Sequence, residues 1–157
     1  MNTRSLVLIS VVLVLLEAGC RTMGRHKVQF DAKDFMAYNS PGTGAIHGHA
    51  FVRGEAGRSH SAAGLKVFLM PLTPYTAERV KMMRDNQVLP PPDPRLQKYV
   101  WSVVADIMGS YRFEGLAPGS YVVYSTIVWS GRRTAGDHYV VVTTPLADGE
   151  VKHVVVN

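Results

Sequence analysis

Residues 106–123, "DIMGSYRFEGLAPGSYVV", restrict what this chain can fold into more than any other stretch. Asp106 and Gly109 bracket a tight reversal. The carboxylate can accept backbone N–H groups in the turn, and glycine takes positive φ without a Cβ penalty. Tyr111 and Phe113 lie two residues apart and so project from one face of the next strand. A second reversal follows at "LAPGSY", where Pro118 presets φ and Gly119 supplies the next turn position. Leu116 can plug the end of a core, and Tyr121 and Val123 resume the inward alternation. Such a stretch belongs to a β protein, and each of its residues has a folding task.

From Ala45 onward, β-rich runs alternate with turn residues. Candidate strands occupy 45–53, 65–70, 98–105, 110–114, 120–129, 137–143 and 150–156. This spacing predicts an all-β fold, a seven-stranded antiparallel β-sandwich. Between the second and third strands lies an insertion, roughly 72–97, too long for a hairpin loop. Thr76 can cap a helix over 77–85, with Glu78 in its positive first turn and Arg84 near its end. Val80 and Met83 would share a face with Tyr75 or Ala77. Prolines 90, 91, 92 and 94 force an extended return. Two readings stay open: a helix packed over one sheet or its edge, or a surface offered to a partner.

The N-terminus begins with Arg4 and an uncharged, mainly apolar run from Ser5 to Leu16, the length of a signal-peptide core and short for a membrane span. Ala18 and Gly19 then precede Cys20, the sole cysteine. The arrangement resembles the lipobox of bacterial lipoproteins, departing from it at Glu17, where an aliphatic residue is usual. The resemblance implies cleavage before Cys20 and acylation of its thiol, with each buried CH₂ contributing about 0.8 kcal/mol to membrane attachment. Arg21 in place of aspartate implies sorting to the outer membrane. Cleavage removes Arg4 and Glu17 together, so the net charge of +5 is unchanged. The expected organisation is a signal peptide at 1–19, a membrane tether at 20–43 with a short ordered piece around "VQFDAKDFMAY", and a β-domain at 44–157. Arg21, Arg25 and Lys27 would sit near anionic head groups. The remaining cations are dispersed, with no stripe or motif for nucleic acid.

The opening stretch resembles the carboxypeptidase regulatory-like domains, also described as transthyretin-like or prealbumin-like sandwiches. Their pattern is met at Asp106, Gly109, Tyr111, Phe113, Leu116, Pro118, Gly119 and Tyr121. Upstream, "GAIHGHA" fits the family's opening strand at Gly44, Ile46, Gly48 and Ala50, and "AGLKVFLMP" (63–71) fits the strand that follows. The resemblance covers 44–156 apart from the insertion. It implies a non-catalytic accessory domain without a cofactor, used in exported proteins of unrelated roles.

Other candidate chemistry is weighed against simpler roles. His47 and His49 share one strand face and could begin a zinc or copper site if a further ligand joined them; His60 and His138 are the nearest candidates in sequence, and solvated surface histidines are the simpler reading. The hydroxyisourate hydrolases of related architecture end in Tyr-Arg-Gly-Ser, whereas this chain ends "HVVVN". Isopeptide-forming pilin domains need a lysine where the first strand offers histidines. No serine lies in a Gly-x-Ser-x-Gly elbow, and "GTGAIHG" precedes a strand rather than a phosphate-binding helix. Asp106 and Glu114 as an acid/base pair have better explanations as turn and surface residues. Trp101, Tyr124, Trp129 and Tyr139 could form a glycan platform, against the commoner role of packing. The expected function is thus a lipid-anchored envelope protein, non-catalytic, whose β-domain mediates structural or protein contacts. A glycan- or metal-binding module is the alternative, and a hydrolase the last choice.

Overall fold

The computed structural model describes residues 24–53, 59–130 and 135–157; within the strands, the side chains of 52–53, 59–60, 127–130 and 135–138 lie outside the description. The described residues are mostly β, with two sheets and one α-helix. Among the described residues eight strands occur: β1 (Gly44–Arg53), β2 (Ser59–Ser61), β3 (Lys66–Pro71), β4 (Trp101–Val104), β5 (Ser110–Leu116), β6 (Gly119–Ser130), β7 (Ala135–Leu146) and β8 (Val151–Val156). The helix α1 spans Pro74–Arg84.

The first sheet centres on β1, which pairs antiparallel with β5 and, beyond Ala50, with the short β2. On its other side β1 pairs parallel with β8, from Ala45 opposite Val151 to Ala50 opposite Val156. This sheet is therefore mixed, which corrects the all-antiparallel expectation. The reason is topological. β7 and β8 belong to different sheets, so the turn at Ala147–Glu150 crosses from one layer to the other and sends β8 along β1 in the same direction. The second sheet is antiparallel throughout, in the order β4-β3-β6-β7.

Alternation along the strands builds one core between the sheets. Ile46, Ala50, Tyr111, Phe113, Val154 and Val156 come from the first sheet, and Val67, Leu69, Tyr121, Val123 and Val140 from the second. Gly48 shows how closely the first sheet is fitted. A Cβ there would lie 1.7 Å from the Val154 carbonyl oxygen and 2.5 Å from the Tyr111 hydroxyl. The missing side chain lets Tyr111 reach across β1 and donate to the Val154 carbonyl at 2.7 Å.

Two local expectations are corrected. Thr73, not Thr76, caps α1; Pro74 opens the helix, and Thr76 closes a reciprocal capping box with its hydroxyl on the Thr73 backbone N–H at 2.8 Å. The third expected strand (98–105) begins only at Trp101, because Pro94–Tyr99 winds into a 3₁₀ helix capped by the Asp93 carboxylate. Within the stretch expected as a tether, the ordered piece around residues 28–38 is present, and contacts extend back to Gly24, whose N–H donates to the Val88 carbonyl at 2.9 Å. A 3₁₀ helix at Ala32–Tyr38 buries Phe35 completely, stacked 4.7 Å from Phe30 and 4.6 Å from Tyr99. The inserted helix lies over the second sheet, with Val80 and Met83 buried against Met70 and Val122.

Candidate functional site: the cleft between the open strand edges

β4 and β5 each have a single strand partner, and they form the free edges of their two sheets on the same side of the molecule. A cleft of about 560 Å³ opens between them. Its floor is the core end, with Phe113, Leu116 and Tyr121. Its wall is Trp101, half-buried on β4 and packed against the core. The 3₁₀ helix that precedes β4 brings Lys98 and Tyr99, and the N-terminal segment brings Tyr38 and Asn39.

Polar groups gather at the rim. Arg112 and Glu114, two residues apart on β5, form an exposed ion pair. The Lys98 ammonium sits 4.5 Å from the centroid of the Tyr99 ring. The Tyr99 hydroxyl donates to Asn39 Oδ1 at 2.8 Å, which fixes the amide at the mouth. Deeper in, burial and the neighbouring Tyr38 push the Tyr121 phenol up to about 12, so it stays protonated and donates to the Ala117 carbonyl at 2.7 Å. That bond, from a tyrosine back to a carbonyl four residues upstream, pins the reversal between β5 and β6. The result is a concave site with apolar walls and a few convergent polar groups, the usual anatomy of a small-ligand site.

The residues singled out in sequence divide among different places. Asp106 accepts the N–H groups of Met108 and Ser110, both at 2.8 Å; these bonds, from Ser110 foremost, hold its carboxyl below the usual carboxylate value. Gly109 turns at φ +79°, and its carbonyl accepts the Ala50 N–H at 2.8 Å. Tyr111, Phe113, Leu116 and Tyr121 are core residues. Pro118 is exposed, and at Gly119 a Cβ would meet the Tyr38 ring at 2.6 Å. Cys20 lies outside the described residues. Asp106 and Glu114 line different depressions and form no pair.

The four-aromatic platform does not assemble. Trp101 faces the core and cleft, whereas Tyr124 and Tyr139 pack on the opposite face of the second sheet beneath the helix cluster. The Trp129 side chain lies outside the description. His47 and His49 point away from the core as expected, and the residue that joins them is His153, opposite His47 on β8. The parallel pairing that brings it there left no local mark in the sequence. Reasoning from sequence also missed Tyr38, Asn39, Lys98 and Arg112 at the cleft. The aromatic spacing Phe30, Phe35, Tyr38 is the signal that this part of the N-terminal segment packs on the domain.

No protein-family model and no curated protein sequence matches the chain. Among solved structures, a proposed carbohydrate-binding protein of Pseudomonas aeruginosa, known from crystals at 2.61 Å, is similar with a TM-score of 0.71. The similarity covers 82% of this chain and 97% of that one at 23% identity, so it speaks for the fold alone.

Proposed function

We propose that this protein is a non-catalytic binding protein of the cell envelope that holds a saccharide in the cleft between β4 and β5. The observation that carries this reading is Trp101, half-buried in the cleft wall with Lys98, Arg112 and Glu114 around it. A sugar ring offers an apolar C–H face and a rim of hydroxyls. An aromatic wall matches the first, and planar or charged side chains match the second. The similar Pseudomonas protein, itself proposed to bind carbohydrate, supports the choice over a protein partner. The insertion, the other candidate surface, turns Val80 and Met83 inward onto the sheet.

The body belongs, in this reading, with the carboxypeptidase regulatory-like sandwiches. Two sheets around one core, and the roles taken by Asp106, Gly109, Tyr111 and Tyr121, support that assignment. Attachment is through lipid on Cys20, on the outer membrane; recovery of Cys20→Ser in the membrane fraction at the parent's level would sink it. For the cleft, calorimetric titration with neutral and charged oligosaccharides should show saturable binding that Trp101→Ala weakens by about tenfold or more, a loss of about 1.4 kcal/mol. Undiminished binding by Trp101→Ala, or no binding of any oligosaccharide, rules out the cleft as a saccharide site.

A further inference from the structure

The outer face of the first sheet carries three imidazoles in one depression. His47 and His49 alternate along β1, and His153 stands opposite His47 on the parallel strand β8. His49 Nδ1 and His153 Nε2 approach to 3.4 Å, with ring centroids 5.5 Å apart. Two imidazole nitrogens at that separation either share a proton or share an ion. For ligand bonds of about 2.0–2.1 Å, a tetrahedral ion sets its ligand nitrogens about 3.3–3.4 Å apart. The observed spacing fits that edge without movement of either strand.

A second observation points the same way. His47 Nε2 is buried with no hydrogen-bond partner. A buried ring nitrogen left unpaired is costly, and a solvent molecule in the shell of a neighbouring ion can satisfy it. Asp106 lines the same depression and contributes negative charge to it. Arg112 also borders it, but that cation is engaged by Glu114.

We infer that His49 and His153 are the protein ligands of a divalent transition-metal ion, with His47 beside them in the same depression. Among the described residues, no three His, Cys, Asp or Glu side chains are grouped closely enough to grip one ion. Among the described residues the protein supplies two nitrogens, and solvent completes the shell, which leaves the ion open to outside ligands. Imidazole donors suit copper and zinc, and copper(II) binds most tightly to such a set along the first-row series. The face is solvent-accessible, with Val151 64% and Val155 41% exposed on the same strand as His153, so an ion has free entry.

The test uses the full chain in detergent, untagged, with Cys20→Ser throughout so that the thiol takes no metal. Titration with Cu²⁺ at pH 7.5 should show one saturable equivalent, and the paramagnetic resonance spectrum should show coupling to two nitrogens. His153→Gln and His49→Gln should each weaken uptake by about tenfold or more and remove one nitrogen coupling. Both side chains lie on an uncovered face, and unchanged thermal unfolding of the variants confirms that they remain folded. Absence of a saturable equivalent, or uptake indifferent to His153→Gln, overturns the inference and leaves the His49–His153 contact as a hydrogen bond.

Discussion

The two sheets share one core, yet their outer faces have opposite fates. On the second sheet, Met70 and Val122 point outward and are 1% and 0% exposed, because α1 lays Val80 and Met83 over them. Further along the same face Phe68 stacks on Tyr124 at 5.0 Å. On the first sheet, His47, His49 and His153 share the outer face with Val151 and Val155, and among the described residues no helix covers them. The difference begins in the side chains. A sheet that is apolar on both faces must be covered on both, whereas one with polar residues outward can meet water. The insertion is the cover that the second sheet requires, and the N-terminal segment packs in turn on the insertion through Phe30 and Phe35.

The sharpest way to break this comparison is to truncate one buried side chain of the packed N-terminal segment and one side chain of the open face. Phe35 is fully buried between Phe30 and Tyr99 in the cluster that seals the N-terminal segment to the rest. Phe35→Ala should cost about 3–5 kcal/mol. Val155→Ala on the open face should stay within about 0.5–1 kcal/mol. Denaturant unfolding of the two variants measures both. Equal losses would mean that the N-terminal segment is no structural cover, and that the contrast between the faces is one of appearance.

How much of this was legible in the sequence follows from which interactions are local. Asp106, Gly109, Tyr111 and Phe113 act within a turn and the strand after it, so their spacing alone announces their roles. The same holds for the boundaries of β1, β5 and β6, which fall close to their expected positions. The parallel pairing of β8 with β1 is different in kind. It joins residues more than a hundred positions apart, and no period within either strand specifies which neighbour the last strand takes. His153 was missed for that reason, and Arg112 and Asn39 meet at the cleft only because two sheets and the N-terminal segment converge there. Thr73 and Thr76 were confused because both are capping residues; Pro74, favoured in the first turn of a helix, is what decides between them.

A smaller effect should come from the point where the N-terminal segment crosses the start of β6. Tyr38 packs edge-on against Tyr121 at 5.4 Å, and its hydroxyl donates to the Ser120 carbonyl while accepting the Ser120 N–H, both at 3.1 Å. Gly119 makes room for that ring; a Cβ there would stand 2.6 Å from it. Gly119→Ala should therefore push Tyr38 aside and cost about 1–3 kcal/mol. If the clash is the cause, the same substitution in a Tyr38→Ala background should cost clearly less, and a double-mutant cycle measures the coupling. Additive losses would place the cost in the Gly119 backbone, whose φ is +157°, and not in the covering segment.

The smallest expected effect concerns acid, and it tests whether the segment is held by charge as well as by rings. Glu78 on α1 accepts the backbone N–H of Lys27 and of Val28, each at 3.0 Å, and lies 3.3 Å from His26 Nδ1. His26 in turn contacts Arg79 at 2.8 Å and stacks on Tyr75 at 4.6 Å. Burial works to raise the Glu78 carboxyl, but the N–H groups of Val28 and Lys27, with His26, outweigh it and leave the group below its ordinary value of 4.5. A carboxylate lowered by folding stabilises the fold fully above its unfolded value and loses that contribution as pH falls through the folded one. The clasp should therefore be intact at pH 7 and loosen only below about pH 4.5. Amide resonances of Lys27 and Val28 followed by NMR through an acid titration should move with a midpoint under 4.5, and Glu78→Gln should abolish the transition. A midpoint at or above the ordinary glutamate value would show that the N–H groups do not hold the carboxylate, and that the aromatic stack alone keeps the segment in place.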